Sequence, residues 1–328
     1  MQLNGIHHVT AVTARVTGNV DFYTRVLGLR LVKKSVNQDD VSAYHLFYAE
    51  RLGSPGTDMT FFDWPNIGRN IGGTDSVAGT AFRVSGRPSL RFWSERLAVR
   101  GVRSVEFATF ADRDLVAFED PEGQRLYLVD DRGEPFEGEI WQRPDIPDSY
   151  AIRGFYSVTL SVPAFDSLAP VLTGLLGFRQ VQRTQWIDRL TPTVILETAH
   201  NGGAGSEVWL LEQPDAPRAR LGAGGIHHVA FRVPDVTTQR QWRSRLTQSG
   251  VRVTDVIDRF WFHSIYFRVS PGILFEIATD GPGFAIDEEL ESLGEELVLP
   301  PFLEPRRQEI EAGLTPFGQP ATEYRAPA

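Results

Sequence analysis

The run Gly5-Ile6-His7-His8-Val9 recurs 220 positions later as Gly225-Ile226-His227-His228-Val229. Four of the seven histidines therefore stand at matched points of two segments. Imidazole is the commonest side-chain metal ligand, and the same pair repeated in two units points to a shared metal. Cysteine is absent, which excludes disulfides, thiolate metal sites and cysteine nucleophiles. Any metal must then be held by histidine, carboxylate or carbonyl groups.

Four segments on one plan have to position these residues: an alternating strand, an amphipathic helix ending at glycine, then two or three more strands. The first strands begin at Gly5, Gly79, Gly154 and Gly225, and the helices end at Gly28, Gly101, Gly177 and Gly250, with offsets of 23, 22, 23 and 25 residues. In the first unit Asn19 is expected to cap a helix carrying Val20, Tyr23 and Leu27, with Gly28 left-handed just past its end. Leu168, Leu172, Leu175 and Leu176 play the same part before Gly177, as do Leu90, Trp93 and Leu97 before Gly101, and Trp242 and Leu246 before Gly250. In the fourth unit the expected strands are Val253–Arg259, His263–Val269 and Ile273–Ala278, with Ser270-Pro271-Gly272 as a turn. Arg143–Asp148 reads as part of a linker. Beyond Gly283 an acidic helix is expected over Asp287–Glu296, followed by a Pro-rich tail.

The chain of 328 residues is 41% apolar, enough for substantial cores and about two domains. No apolar run approaches the roughly 18 residues of a membrane span, and Met1-Gln2-Leu3-Asn4 lacks the start of a signal peptide. A cytoplasmic location with no membrane partner is expected. A net charge of −9 and a pI near 5.4 argue against a nucleic-acid partner.

A βαβββ unit repeated four times, with histidines on first strands, resembles the vicinal oxygen chelate superfamily of glyoxalases, ring-cleaving dioxygenases and bleomycin-resistance proteins. The resemblance covers roughly residues 4–280, and Pro300-Pro301-Phe302-Leu303-Glu304-Pro305-Arg306-Arg307 is similar to tails of its hydroquinone-cleaving subgroup. It implies an α+β fold of four βαβββ modules in two cup-like barrels. The corresponding boundaries are an N-terminal half at 4–131 (modules 4–64 and 78–131), a linker at 132–152, a C-terminal half at 153–280 (modules 153–213 and 224–280) and a tail at 284–328.

In that superfamily two units form a cup around a metal, each offering a ligand from its first and its last strand. Lining up the glycines places His8, Phe82, Ser157 and His228 at the first position, and Thr60, Tyr127, Trp209 and Glu276 at the last. Units one and four thus supply His8, His228 and Glu276 and are expected to pack together, leaving units two and three as a metal-free cup. Glu276 sits within Ile273-Leu274-Phe275-Glu276-Ile277; there a carboxylate stays buried only when paired or metal-bound, or else it faces solvent. Two histidines and one carboxylate leave open positions and favour Fe(II), with Mn(II) as the alternative.

Strand alternation turns His7 and His227 to the opposite side, as packing residues, whereas the resemblance implies groups close to the substrate, with His227 as the acid–base. Thr10 shares His8's face. Arg259 and Tyr266 match positions of the hydroquinone-cleaving subgroup and are expected to stabilise negative charge. His45, His200 and His263 have no matched partner and read as structural, His263 being the exception to watch because it is near Tyr266. The implied activity is ring cleavage of a hydroquinone-type phenol by O2; a homo-oligomer is compatible with it. A glyoxalase-like lyase or isomerase and a metal-free small-molecule-binding protein are the alternatives.

Overall fold

The computed structural model describes residues 1–198, 202–270 and 272–317. Module one contains β1 (Ile6–Thr13), α1 (Val16–Asp21), β2 (Arg30–Asn37), β3 (Asp40–Ala49) and β4 (Asp58–Asp63). Module two contains β5 (Ser76–Val84), α2 (Gly86–Val99), β6 (Arg103–Phe110), β7 (Arg113–Glu119) and β8 (Arg125–Asp130). Module three has β9 (Phe155–Val162), two single-turn helical segments, β10 (Arg179–Gln185), β11 (Pro192–Glu197) and β12 (Glu207–Glu212). Module four has β13 (Ile226–Val233), α3 (Val236–Gln248), β14 (Ile257–Asp258), β15 (His263–Arg268) and β16 (Leu274–Thr279). A final helix, α4 (Arg307–Gly313), follows.

These strands form two curled eight-stranded sheets, ordered β14-β15-β16-β13-β1-β4-β3-β2 and β10-β11-β12-β9-β5-β8-β7-β6. Module one therefore shares a sheet with module four, and module two with module three, as the ligand inventory requires. The helix stripes Leu90, Trp93, Leu97, Trp242 and Leu246 are fully buried, in one core with Ile6, Val9 and Ala11 from the outward face of β1. The four helix-ending glycines are left-handed, at φ +72°, +70°, +76° and +80°, a conformation that spares a Cβ clash only in glycine.

Several local expectations change. Asn19 lies inside α1, buried, where it accepts the Tyr48 hydroxyl at 2.8 Å; the position before the helix belongs to Arg15, which makes no side-chain cap. A buried hydrogen bond to a neighbouring strand has taken the place of a local one. The strand expected over Val253–Arg259 shrinks to β14 and an isolated bridge from Val253 to Phe267. Asp287–Glu296 is no helix: a single turn covers Leu290–Ser292. The acidic side chains are drawn instead to Lys33, which is fully buried on β2, bonds Asp287 at 2.8 Å, Glu288, and the Phe284 carbonyl at 3.1 Å. A buried ammonium must be paired, and this need outweighs the segment's helical propensity. The turn at Ser270-Pro271-Gly272 includes Pro271, which lies outside the described residues, as do His200 and residues 318–328 of the tail. Among the described residues no helix is long and apolar enough to cross a membrane.

Candidate metal centre and its cavity

β1 and β13 pair antiparallel at the middle of their sheet, with Thr10 opposite His228 and His8 opposite Ala230. β16 runs parallel to β13 and sets Glu276 beside Ala230. The result is a compact set of donors. His8 Nε2 and His228 Nε2 lie 3.2 Å apart, and Glu276 Oε2 lies 3.2 Å from the first and 3.0 Å from the second. All three residues are at most 3% exposed.

Two β-bulges decide where the other histidine of each pair goes. The β1–β13 register slips by one residue between Ile6 and His8, and again between Thr10 and Ala11, so that His7 and His227 are the extra residues. Simple alternation would put both on the far face; an inserted residue breaks it. His7 Nδ1 instead sits 2.9 Å from His8 Nδ1, and His227 Nδ1 sits 2.7 Å from His228 Nδ1. His7 Nε2 lies 3.1 Å from the Thr279 carbonyl, which can only accept, so that nitrogen carries the hydrogen. Burial, helped by the neighbouring His8, holds His7 down to about 3. The ring is neutral, its Nδ1 accepts from His8, and His8 Nε2 is left with a bare lone pair. Burial likewise brings His227 down to about 3, and its Nδ1 contact with His228 repeats that of His7 with His8.

Ser264 donates its hydroxyl to Glu276 Oε1, while Oε2 is buried with no hydrogen-bond donor. Burial alone would raise the Glu276 pKa, whereas positive charge on the His8 and His228 side of the carboxylate holds it well below the usual carboxylate range; where these imidazoles are neutral with Nε2 bare, a bound cation takes that part. Three electron-rich atoms this close together repel unless a cation lies among them. A divalent ion that accepts imidazole and carboxylate fits this donor set.

A small, partly open cavity lies beside the cluster. Phe47, Phe62, Trp261 and Phe262 give it apolar walls, while His45, Tyr266, Arg259 and Asp39 bring polar groups. Tyr266 lies across the ladder from Glu276, its ring edge-on to His228 at 5.7 Å. Burial, with the Glu276 charge, raises the Tyr266 pKa and keeps it a hydrogen-bond donor. Arg259 lies over the Tyr266 ring at 5.4 Å and binds Asp39 at 2.8 and 3.1 Å, joining module four to the β2–β3 turn of module one. Thr10 does face the cluster, bonded to Thr60 at 2.7 Å.

The placement of the remaining histidines differs from the sequence reading. His227 stands behind His228 and lines a different, outer cavity with Arg268, so its effect on the centre passes through His228. His263 is half-buried, 3.9 Å from Asp258, and does not line the inner cavity. His45, read as structural, does line it. A usable signal was present: His45 and Phe47 alternate on β3 and face Phe62 and Thr60 of the last strand. Asp39 and Trp261 carried no comparable signal, because their place depends on how the two modules meet.

Paired modules curled into two cups, one with a His–His–Glu donor cluster at the seam, define the class of protein. The model of the glyoxalase/bleomycin resistance protein/dioxygenase superfamily matches residues 5–128 and 155–286, and the chain belongs to that superfamily. It is 44% identical over 317 residues, 97% of its length and 100% of the relative's, to a Bacillus subtilis protein provisionally named ring-cleaving dioxygenase MhqA. It is 29% identical to the chlorohydroquinone/hydroquinone 1,2-dioxygenase of Sphingobium indicum, over 94% of this chain and 95% of that one. A crystal structure of a provisionally named dioxygenase from Bacillus subtilis superposes with a TM-score of 0.89 at 38% identity, covering 97% and 99% of the two chains. Glyoxalase I of Zea mays shares the fold, at a TM-score of 0.61 and 14% identity over 84% of this chain and 92% of that one.

Proposed function

We propose that this chain is a non-haem, divalent-metal-dependent dioxygenase that opens the ring of hydroquinone-type phenols, with His8, His228 and Glu276 as the metal ligands. The observation that carries this reading is the buried Glu276 Oε2, without a hydrogen-bond donor and within 3.2 Å of two imidazole nitrogens. Fe(II) is the preferred ion and Mn(II) the alternative. When bound, the metal supplies Lewis acidity toward the phenol and a path for electrons between the ring and O2.

The protein's own part is positioning and charge control. His7 and His227 fix the tautomers of His8 and His228. Ser264 holds the free oxygen of Glu276. Phe47, Phe62 and Phe262 exclude water and clasp a flat ring beside the ligands. Tyr266 donates, and Arg259 adds positive charge, toward oxygen atoms that become anionic as the ring is attacked. Thr10 holds Thr60 at the place where a fourth protein ligand would stand, so the coordination sphere keeps room for substrate and O2.

A glyoxalase-like reaction is the competing reading, and Thr60 counts against the four-ligand set it needs. The test is an oxygen-electrode screen of the Fe(II)-loaded protein with para-hydroquinones, catechols and a thiol–aldehyde adduct. O2 uptake with a hydroquinone and a ring-opened product is the expected result; isomerisation of the adduct without O2 uptake would refute the proposal.

A further inference from the structure

Module one carries a hydrogen-bonded chain that mirrors the Ser264–Glu276 pair of module four. In register, Thr10 pairs with Thr60 as Ala230 pairs with Glu276. On the neighbouring strands His45 faces Phe62 as Ser264 faces Ala278, each two positions past Thr60 or Glu276. Where Ser264 donates to Glu276, His45 Nε2 lies 3.0 Å from Thr60 Oγ1. Module one thus keeps the contact and exchanges the groups: a carboxylate held by a hydroxyl becomes a hydroxyl held by an imidazole.

The exchange leaves an imidazole facing the reaction space. His45 lines the same cavity as His8, His228 and Tyr266 and is only half-buried there. Phe47 and Phe62 clamp its ring at centroid distances of 4.0 and 4.5 Å, and Thr60 anchors one nitrogen. Its Nδ1 has no hydrogen-bond partner among the described residues. Holding Thr60 alone would need only an amide, whereas an oriented imidazole with one free nitrogen can also take a proton.

We propose that His45 accepts the proton of the substrate's ring hydroxyl when a hydroquinone enters the cavity. The assignment rests on the ring-cleaving reading above. The phenolic O–H bond breaks, its electron pair stays on oxygen, and the proton forms an N–H bond on His45. The imidazolium later returns that proton to the ring-opened product or to solvent through the cavity mouth. Burial, with the nearby imidazoles of His8 and His228, holds His45 well below the usual histidine pKa, so it enters the cycle unprotonated; once the proton has moved, the phenolate formed beside it offsets that depression and retains the imidazolium at neutral pH. The other charged or titratable groups facing it are Arg259 and Glu276, with Tyr266 and Asp39 on the cavity wall.

The experiment is an anaerobic titration of Fe(II)-loaded protein with unsubstituted hydroquinone in weak buffer at neutral pH, with an indicator dye reading proton release. Wild type should release little. His45→Gln, which can still bond Thr60, should bind iron and melt like wild type, yet release about one proton per substrate bound. Its kcat/KM for O2-dependent turnover should fall about 100-fold or more. Proton release equal to wild type, with turnover within about threefold, overturns the assignment. If His45→Gln loses iron or unfolds, His45→Asn reads the same two quantities. Wild-type protein that neither binds hydroquinone nor consumes O2 would instead remove the ring-cleaving reading, and this assignment with it.

Discussion

The two sheets follow one backbone plan and put it to different ends. In the second sheet the β5–β9 ladder slips at the same two places as β1–β13, so that Ala78 and Tyr156 are the extra residues where His7 and His227 are in the first. The register then sets Gly79 in the place of His8, Ser157 in that of His228, Tyr127 in that of Thr60 and Trp209 in that of Glu276. Aligning the glycines that begin the first strands puts Phe82 in the place of His8; Phe82 in fact stacks on Phe155 at 5.4 Å on the outward face. Where the first cup holds donors beside a cavity, the second holds an aromatic plug. Trp209 packs with Phe110, Trp186 and Tyr127 at centroid distances of 4.9, 5.6 and 6.2 Å, and its indole N–H donates to Glu207 at 2.7 Å. A Cβ on Gly79 would come within 2.9 Å of the Tyr127 ring, so the missing side chain is what admits that ring. The frame and its bulges position residues at the seam; side-chain identity alone gives one seam a donor cluster and the other an aromatic core.

The contrast breaks most completely at Glu276. Glu276→Gln replaces the charged donor by a neutral amide and should weaken metal binding more than about 100-fold, with loss of O2 consumption; elemental analysis and the oxygen electrode read the two effects. Tyr266→Phe and Arg259→Ala leave the ligands in place, so iron content should hold while kcat falls about 10- to 100-fold, which separates charge stabilisation from metal retention.

In the second cup the expected effects are on stability. Trp209→Ala should cost roughly 3–5 kcal/mol in denaturant titrations and leave iron content unchanged, since the plug touches no ligand. The smallest effect comes from acid. His7 and His227 sit near about 3 when folded, against 6.5 in the free residue. Their folded pKa is depressed, so the unfolded chain takes up protons first; the stability they contribute is present above about 6.5 and is lost as pH falls toward about 3. In chelator-treated protein each should contribute a slope of up to about 1.4 kcal/mol per pH unit between those two values. Urea titrations at pH 7.5 and 5.5 should find the slope reduced in His7→Gln, and an unchanged slope would show that His7 is protonated in the folded state.

Much of the frame could be read from residues near one another in the chain. Strand alternation, the leucine and tryptophan stripes and the glycines after each helix are local, because a helix turn or a pleat is set by neighbours a few positions away. The repeated His-His pairs, the absence of cysteine and a carboxylate in an apolar strand identified the donors and required modules one and four to meet. The Lys33 clasp, the burial of Asn19 and the failure of the acidic segment to form a helix lay beyond that reach, since each answers a partner far along the chain.

What the sequence by itself determined was therefore which residues could chelate and which modules had to carry them. Only the tertiary structure decided that His7 and His227 stand behind the ligands, that Gly79 rather than Phe82 takes the place of His8, and that His45 faces the cavity. The reason is register. Alternation belongs to a single strand, but a bulge is defined only by the count of residues on the strand opposite, and here the opposite strand lies 220 residues away.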